Sequence, residues 1–196
     1  MKKIFFVLLV TGIIGITQLN AQENFFSMQY SVGFGTGDMG EFIEKTSWRG
    51  ISFEFRNFVS PNVGLGIESG MNTFYENKDY DTYTDGTISL SGVQYRYINT
   101  IPILAAADYY FQPDAQINPF LGLGLGTIYN RRDLDMGLYT VEDEAWQFAL
   151  RPEVGVLFNV SEGLDLMLAA KYYAGFKGGD LEAQNYVTIN LGFNFK

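Results

Sequence analysis

Nine charged side chains of both signs stand near the centres of segments in which polar and apolar residues alternate. They are Glu54, Arg56, Glu68, Arg96, Asp108, Arg151, Glu153, Asp165 and Lys171. In an extended strand the apolar neighbours point to the opposite face, so the charges would share one side of a sheet. Such a set could gate a pore, pass protons or bind a small polar solute. We favour a mutually paired network that fills the interior of a barrel, because buried charges must pair.

Catalysis and metal binding lack their usual residues in this chain. It has no histidine and no cysteine, which removes the commonest general base, the commonest metal ligand and all thiolate chemistry. Serine and aspartate alone leave a nucleophile without an activating base. The sequence therefore predicts no enzymatic activity, no catalytic, cofactor-binding or metal site, and no cofactor.

Glycines at positions 122, 124 and 126 resemble part of a phosphate-binding loop. That motif, however, needs its glycines at a turn that opens a helix. A spacing of two instead places all three on one face of a strand. We expect them to make room in a narrow interior for the long charged side chains.

Acidic residues concentrate in four segments that separate the alternating ones. These segments, 37–47, 76–92, 131–144 and 174–185, hold 14 acids and five bases. Ordinary solvated acids explain them better than a calcium site, because the spacing around Asp79 does not match a calcium loop. The formal net charge of −9 argues against nucleic acid as a partner. A cation, a surface protein or a glycan remains the candidate ligand of these segments.

Eight segments alternate with period two, which predicts strands. The first, Phe26 to Gly35, and the last, Val187 to Lys196, each have one apolar face. The other six run 48–58, 63–75, 93–111, 120–130, 146–159 and 164–173. Pro102 predicts a bulge or kink in the fourth segment. Short and long connections take turns, as periplasmic turns and outer loops do in membrane barrels. The sequence thus predicts an all-β protein, an eight-stranded antiparallel up-and-down transmembrane β-barrel.

The apolar face of this barrel is expected to meet lipid. The opposite face carries Arg, Glu and Gly at strand centres, unlike a soluble surface, where Lys would dominate. Aromatic residues such as Trp48, Tyr109 and Trp146 fall near strand ends on the apolar face, where they would form interfacial girdles. The alternative is a soluble lipocalin-like barrel with its apolar face inside.

An export signal precedes the first strand. Lys2 and Lys3 are followed by an apolar run from Ile4 to Ile16 and by the small residue Ala21. This run is too short to span a bilayer and is typical of a secretory signal peptide. We expect cleavage after residue 21 by the Sec route, leaving residues 22–196 as the barrel domain.

The chain resembles the bacterial outer-membrane β-barrel family, near the small OmpA- and OmpX-like barrels. The resemblance rests on the terminal Phe193-Asn194-Phe195, on Ile101 to Leu104 running into Tyr109 to Phe111, and on Pro119 to Gly124. It implies a location in the bacterial outer membrane, amid the lipid bilayer and lipopolysaccharide. It also implies that Phe193 and Phe195 form the signal read by the barrel-assembly machinery.

These features together predict a non-enzymatic outer-membrane protein. Its expected role is structural or interactive, through acidic extracellular loops, with the lumen largely filled by the charged network. The alternative is transport, either as a narrow porin-like channel or as the barrel subunit of an outer-membrane secretion complex.

Overall fold

The computed structural model describes residues 24–85, 88–179 and 181–196, so the predicted signal peptide lies outside the described residues. The elements are β1 Asn24–Thr36, α1 Asp38–Phe42, β2 Ser47–Ser60, β3 Val63–Asp85, β4 Ile88–Tyr110, β5 Ile117–Met136, β6 Tyr139–Ser161, β7 Leu164–Gly175 and β8 Gln184–Phe195. No helix among the described residues is long and apolar enough to cross a membrane.

The eight strands form a closed barrel in which each strand pairs with the next and β8 returns to β1. The closing pair is antiparallel and runs from Phe26 opposite Phe195 to Thr36 opposite Asn185. Closure removes the two open edges of the sheet, whose unpaired backbone groups a bilayer could not satisfy. The predicted eight-stranded up-and-down barrel is confirmed.

The outside of the barrel is apolar, and the buried polar and charged side chains of its strands face the interior. On β3, for example, Ile67 is 65% exposed while the adjacent Glu68 is 1% exposed. The same alternation runs along β1 and β8, where buried polar residues alternate with more exposed apolar ones. This inverts the arrangement of a water-soluble protein, so the exterior is suited to hydrocarbon, as the alternation predicted.

Strands β3, β5 and β6 are much longer than predicted, and β4 is slightly longer. Their lengths are 20 to 23 residues, against 12 to 14 for the other four. The predicted loops 76–92 and 131–144 are therefore largely strand, paired for instance at Lys78 opposite Gln94 and Leu134 opposite Val141. Cross-strand pairing holds these extensions together. Polar residues on both of their faces conceal the alternation in the sequence.

Pro102 does not produce the predicted bulge. The register of β3 against β4 is the same on both sides of it, at Ser69 opposite Ile103 and at Asn72 opposite Thr100. Near Pro102 the ladder is interrupted between these two pairs, where a proline has no N–H to donate. On its other side Pro102 stays in register opposite Ile128 of β5.

The two ends of the barrel differ. Both ends of the described chain, Asn24 and Lys196, lie at the end of the β2–β3, β4–β5 and β6–β7 connections, and the long extensions of β3 to β6 lie at the other end. We call the first of these the turn end and the opposite one the loop end. In outer-membrane barrels short turns face the periplasm, and longer loops face outward.

Candidate functional site in the barrel lumen

Seven of the nine predicted charges meet near the middle of the lumen and are almost completely buried. They are Glu54, Arg56, Glu68, Asp108, Arg151, Glu153 and Lys171, and we call them the central charge network. Arg56 contacts the carboxylates of Glu54 and Asp108, with 3.0 Å between its Nη2 and Glu54 Oε2. The network thus contains three bases and four acids in direct contact. Buried charges are tolerated when they are paired in this way.

Two of these ion pairs connect opposite walls of the barrel. Lys171 on β7 pairs with Glu54 on β2. Arg151 on β6 pairs with Glu68 on β3, with 2.5 Å between Nη2 and Oε2. The hydroxyl of Tyr173 donates to Glu68 Oε1 over 2.5 Å. Neither β2 and β7 nor β3 and β6 pair through backbone hydrogen bonds. The side chains of the network therefore connect strands that the sheet leaves unconnected.

A cation already lies among the three glutamates of this network. The carboxylate oxygens of Glu54, Glu68 and Glu153 lie within 4.8 Å of one another, close enough to hold a metal ion. The ammonium group of Lys171 contacts Glu54 and lies 3.4 Å from Glu68 and 3.9 Å from Glu153. A protein-borne charge thus performs the neutralisation that a metal ion would supply.

Glycines on the inner face of β5 create the space for these side chains. A Cβ at Gly122 would lie 2.3 Å from Asp108 Oδ1 and 3.1 Å from Glu153 Oε2. One at Gly124 would lie 3.1 Å from Arg151 Nε. The interior is close-packed at these points, so the glycines act as the sequence predicted.

Towards the turn end, an apolar layer lies inside the barrel beside the network. It consists of the buried residues Phe25, Tyr110, Phe120, Leu157, Met167 and Ala169, with Phe58 packed against them. The rings of Tyr110 and Phe120 lie 5.3 Å apart, and those of Phe25 and Phe58 lie 5.6 Å apart. Apolar side chains therefore pack against one another inside the barrel at its turn end.

Towards the loop end, a second apolar layer contains residues that do not belong to the strands. Its wall is formed by Phe74, Ile98, Leu104, Ile128, Ala149, Tyr173 and Tyr186, and we call the space they line the outer compartment. Met39, Phe42 and Ile43, from α1 and its C-cap, fill it and are buried. We call these three residues the stopper. The predicted outer loop 37–47 therefore folds into the barrel instead of extending from it.

Polar contacts on the rim hold the stopper. Arg96 Nη1 donates to the carbonyl of Phe42 over 3.0 Å. The guanidinium groups of Arg96 and Arg132 lie 4.9 Å and 3.7 Å from the centre of the Phe42 ring, in cation–π contact. Beside them the backbone N–H of Glu44 donates to Glu76 Oε2 over 2.8 Å.

Lys78 and Glu76 complete this attachment on the part of β3 that extends beyond Tyr75. Lys78 Nζ lies 2.9 Å from Glu44 Oε1 and 3.0 Å from Glu76 Oε1. Partial burial alone would raise the pKa of Glu76, but the hydrogen bonds from the Glu44 amide and Lys78 outweigh it and hold that pKa below its usual value.

Two predicted members of the network lie elsewhere. Arg96 is at the rim of the outer compartment, where it contacts Phe42 and Gln94. Asp165 lies at the turn end, 3.1 Å from the ammonium group of Lys196. Because a strand advances about 3.3 Å per residue, side chains on one face can share an orientation and still lie at different depths.

Phe193 and Phe195, the predicted assembly signal, lie on the outer face of β8 and are each 49% exposed. Phe195 is opposite Phe26 on β1 and Leu164 on β7. Both phenyl groups are therefore presented outward at the turn end.

The two apolar layers were not predicted, although one feature of the sequence indicates them. Several strands carry adjacent aromatic residues, and neighbours in a strand face opposite sides. Tyr172 is 38% exposed while Tyr173 is 1% exposed. Tyr109 and Tyr110 divide in the same way. One ring of each pair faces outward and the other enters the lumen.

Acids of the long β5–β6 hairpin are partly engaged within it. Arg131 pairs with Asp133 over 3.1 Å and with Glu142 over 2.8 Å. The hydroxyl of Tyr129 donates to Glu144 over 2.5 Å. The hairpin remains acidic overall, but these carboxylates stabilise its pairing as well as contributing surface charge.

Comparison with known proteins identifies the fold through structure. No family model matches the sequence, and no curated protein does. Neisserial surface protein A (NspA) matches with a TM-score of 0.59 and 16% identity, over 88% of this chain and 96% of that one. Ail, the attachment invasion locus protein of Yersinia pestis, matches in its complex with the heparin analogue sucrose octasulfate. Its TM-score is 0.56 at 13% identity, over 89% and 97% of the two chains.

OprG, an outer-membrane protein of Pseudomonas aeruginosa, matches with a TM-score of 0.55 at 12% identity, over 88% of this chain and 94% of that one. At such identities the likeness establishes the fold. A closed barrel with an apolar exterior is the form in which strands cross a bilayer. The chain is therefore an integral outer-membrane β-barrel. Its fold is that of the small eight-stranded OmpA- and OmpX-like barrels, and its location is the bacterial outer membrane.

Proposed function

We propose that this protein is a non-enzymatic surface-interaction barrel with a closed lumen. The observation that carries the proposal is the four-stranded sheet of β3 to β6, which extends beyond the other strands at the loop end. The filled lumen beneath this sheet supports an interaction role over transport.

Three layers support a closed lumen. The turn-end aromatic layer, the central charge network and the stopper follow one another along the barrel, and each consists of buried side chains. An ion moving through the barrel would have to separate the central ion pairs and displace both apolar layers. Leaving a buried charge without its partner is costly, so steady conduction is disfavoured.

The extended sheet offers backbone groups to a partner. Pairing of β2 with β3 ends at Gly50 opposite Asn72, and pairing of β6 with β7 ends at Ala149 opposite Gly175. Beyond these points no strand of the described chain pairs with the outer side of β3 or β6, although the N–H of Phe176 still donates to the carbonyl of Phe148 at the edge of β6. Unpaired edges of this kind accept an added strand from another polypeptide.

The charge of the extensions selects among partners. Asp79 and Asp81 lie on the β3 extension, and Asp135, Glu142 and Asp143 lie on the β5–β6 hairpin. A cationic polypeptide in extended form would satisfy both the acidic surface and the open edges. Among the structural neighbours, Ail is named for attachment and invasion and NspA as a surface protein. Their names agree with this class of function.

The proposal includes a route to the membrane. Residues 1–21 act as a cleaved Sec signal peptide, and Phe193 and Phe195 are read by the barrel-assembly machinery during insertion. Lipopolysaccharide surrounds the extended sheet in the outer leaflet.

Removal of the sheet extension tests the interaction. In one variant, residues 77–93 are replaced by a two-residue turn; in a matched variant, only Asp79 and Asp81 are changed to Asn. Fluorescent poly-L-lysine serves as a cationic extended probe, and both variants are reconstituted in neutral vesicles. We expect the shortened barrel to lose most of the binding and the Asn variant to lose only its salt-sensitive part. Equal binding by the wild-type and shortened barrels contradicts the proposal, provided that both shift on unheated gels.

Single-channel recording tests the closed lumen. We expect little or no steady conductance from the purified protein in planar bilayers. A stable, ion-selective pore would instead support the porin-like alternative. Recovery of a stoichiometric assembly from native membranes would support a secretion-complex subunit.

A further inference from the structure

The outer compartment differs from the rest of the lumen in what fills it. At the level of the central charge network, strand side chains fill the barrel by pairing with one another. In the outer compartment, the buried walls of Phe74, Ile98 and Ile128 enclose three side chains of a connecting segment. The wall therefore belongs to the hydrogen-bonded barrel, whereas the stopper belongs to a short local element between β1 and β2.

The stopper is held by fewer interactions than the walls around it. A five-residue helix has few internal hydrogen bonds, and those at the ends of α1 are Glu41 N–H to Gly37 and Ile43 N–H to Met39. Polar contacts of Arg96, Glu44, Lys45 and Lys78 attach the segment to the rim. Elements with few hydrogen bonds open at lower cost than the sheet that surrounds them. The stopper can thus leave the compartment while the barrel stays folded.

Two arginines would lose contacts when it leaves, although Arg96 would keep its hydrogen bonds to Gln94. Arg132 is half-buried, with its guanidinium group over the Phe42 ring, and no carboxylate in the described chain lies within 4.0 Å of its nitrogens. Arg96 would lose the Phe42 carbonyl and ring. The cross-strand acids are Glu76 opposite Arg96 and Asp143 opposite Arg132, and Glu76 is already bonded to Lys78 and the Glu44 amide.

The open compartment therefore combines apolar walls with two cations at its mouth. A small polar solute would leave the apolar walls without packing partners, and an uncharged apolar molecule would bring no counter-charge to the two arginines. An interior stays close-packed, so a replacement must bring about the volume of the stopper, roughly fifteen non-hydrogen side-chain atoms. A single-chain carboxylate of about a dozen carbons meets both requirements, with its head group on the arginines.

We propose that the outer compartment is a binding site for a free single-chain fatty carboxylate, which enters by displacing the stopper. Met39, Phe42 and Ile43 act as an internal competitor that the ligand replaces. The central charge network remains closed beneath the ligand, so binding does not open a pore. This inference does not depend on the surface interaction of the β3–β6 sheet.

The chain has no cysteine, so single introduced thiols can report on the stopper. The reporter is Met39→Cys, at a fully buried position, and its control is Glu41→Cys, at an exposed position of the same helix. Each variant is placed in phosphatidylcholine nanodiscs and treated with a charged maleimide. Without ligand, we expect modification of Met39→Cys to be at least about tenfold slower than that of Glu41→Cys.

Laurate below its micelle concentration is the ligand probe, and dodecanol has the same chain without the charge. We expect laurate to raise the Met39→Cys rate about fivefold or more, and dodecanol or added phosphatidylglycerol to have little effect. Arg132→Gln should remove the laurate effect. An equal acceleration at both thiols would mean general loosening by a surfactant and would overturn the proposal, as would a response to phosphatidylglycerol alone.

A second variant distinguishes ligand binding from damage to the fold, because its expected effect is a gain in laurate affinity. Phe42→Ala weakens the internal competitor, so calorimetry should show laurate binding about tenfold tighter than to the wild type. Absence of saturable laurate binding to both proteins would overturn the proposal. If the lumen is closed at the network, laurate leaves the conductance unchanged whether or not it binds. The binding test and the conductance test of the proposed function can therefore fail independently.

Discussion

Lys171 and Glu54 are 117 positions apart in the sequence, yet their side chains pair inside the barrel. Lys171 lies on β7 and Glu54 on β2, two strands that form no ladder with each other. The pair is completely shielded from solvent. Side chains thus connect the first and last thirds of the chain independently of the sheet.

Loss of this lysine should destabilise the barrel strongly. Lys171→Met removes one of the two cations that contact Glu54 and leaves the four acids of the network with only two bases, so we expect the free energy of unfolding to fall by about 3–5 kcal/mol. Urea unfolding in lipid vesicles, followed by tryptophan fluorescence, measures the change. Adding Glu54→Gln should recover part of the loss, because it removes one of the uncompensated acids. A double variant as unstable as the sum of the two single variants would show that the pair is not coupled.

The space at Gly122 should be essential to the network. Gly122→Ala places a methyl group against Asp108 and Glu153, so we expect a loss of about 1–3 kcal/mol from overpacking. Gly163→Ala is the matched control, because a Cβ there would meet nothing within 4 Å. Heat-modifiability on gels and urea midpoints measure both. Equal stability of the two variants would contradict the packing described for the lumen.

The lipid-facing side of β3 should reject charge. Ile67→Arg puts a cation on the outward face near the middle of the barrel wall, where we expect a cost of about 2–4 kcal/mol. Leu138→Arg at the fully exposed tip of the β5–β6 hairpin should have little effect. Folding efficiency into vesicles and urea midpoints measure the difference. Tolerance of arginine at position 67 would indicate an aqueous exterior.

Two neighbouring tyrosines should respond differently to the same change. Tyr173→Phe removes the donor to Glu68 inside the barrel, so we expect a loss of about 1–3 kcal/mol. Tyr172→Phe, on the outer face, should be nearly neutral. The comparison keeps volume and strand position almost constant, so a difference in urea midpoint reports the buried hydrogen bond. Similar midpoints would argue against that bond.

Acid should loosen the attachment of the stopper. The pKa of Glu76 in the folded protein lies below its unfolded value. The stability that it contributes is therefore present above about pH 4.3, the usual Glu pKa, and is lost as the pH falls through the folded value. The groups facing Glu76 are Glu44, Lys45, Lys78 and Arg96. Hydrogen exchange at the Glu44 amide, corrected for its intrinsic rate, should show protection that declines in acid. In Glu76→Gln, protection should be lower at neutral pH and change less with pH.

The sequence allows the direction of most strand side chains to be predicted. Glu68 and Ile67 are neighbours of opposite character, so a period of two fixes which one faces the lumen. The same rule grouped nine charges on the lumen face, of which seven form the central charge network and two, Arg96 and Asp165, lie elsewhere. It could not predict their pairing, because which residues meet across a barrel depends on the stagger of its strands.

The stopper and the long hairpins could not be predicted with the same rule. Met39, Phe42 and Ile43 have helical spacing, but one turn is too short to distinguish from a loop. In the extension of β3, Lys78, Asp79 and Asp81 are polar on both faces, so the strand has no apolar side to reveal it. Such segments are specified by their cross-strand partners and by the tertiary contacts of the barrel.

The unequal strand lengths give the molecule a front and a back. Strands β3 to β6 are adjacent, so their extra residues form one continuous wall over half of the rim, while β7, β8, β1 and β2 end lower. About ten additional residues at roughly 3.3 Å each carry that wall some tens of ångströms beyond the low side. A molecule approaching from the low side reaches the stopper directly, whereas one approaching from the opposite side meets the wall first. Rotation of the barrel about the membrane normal therefore decides which of the two surfaces a neighbour encounters.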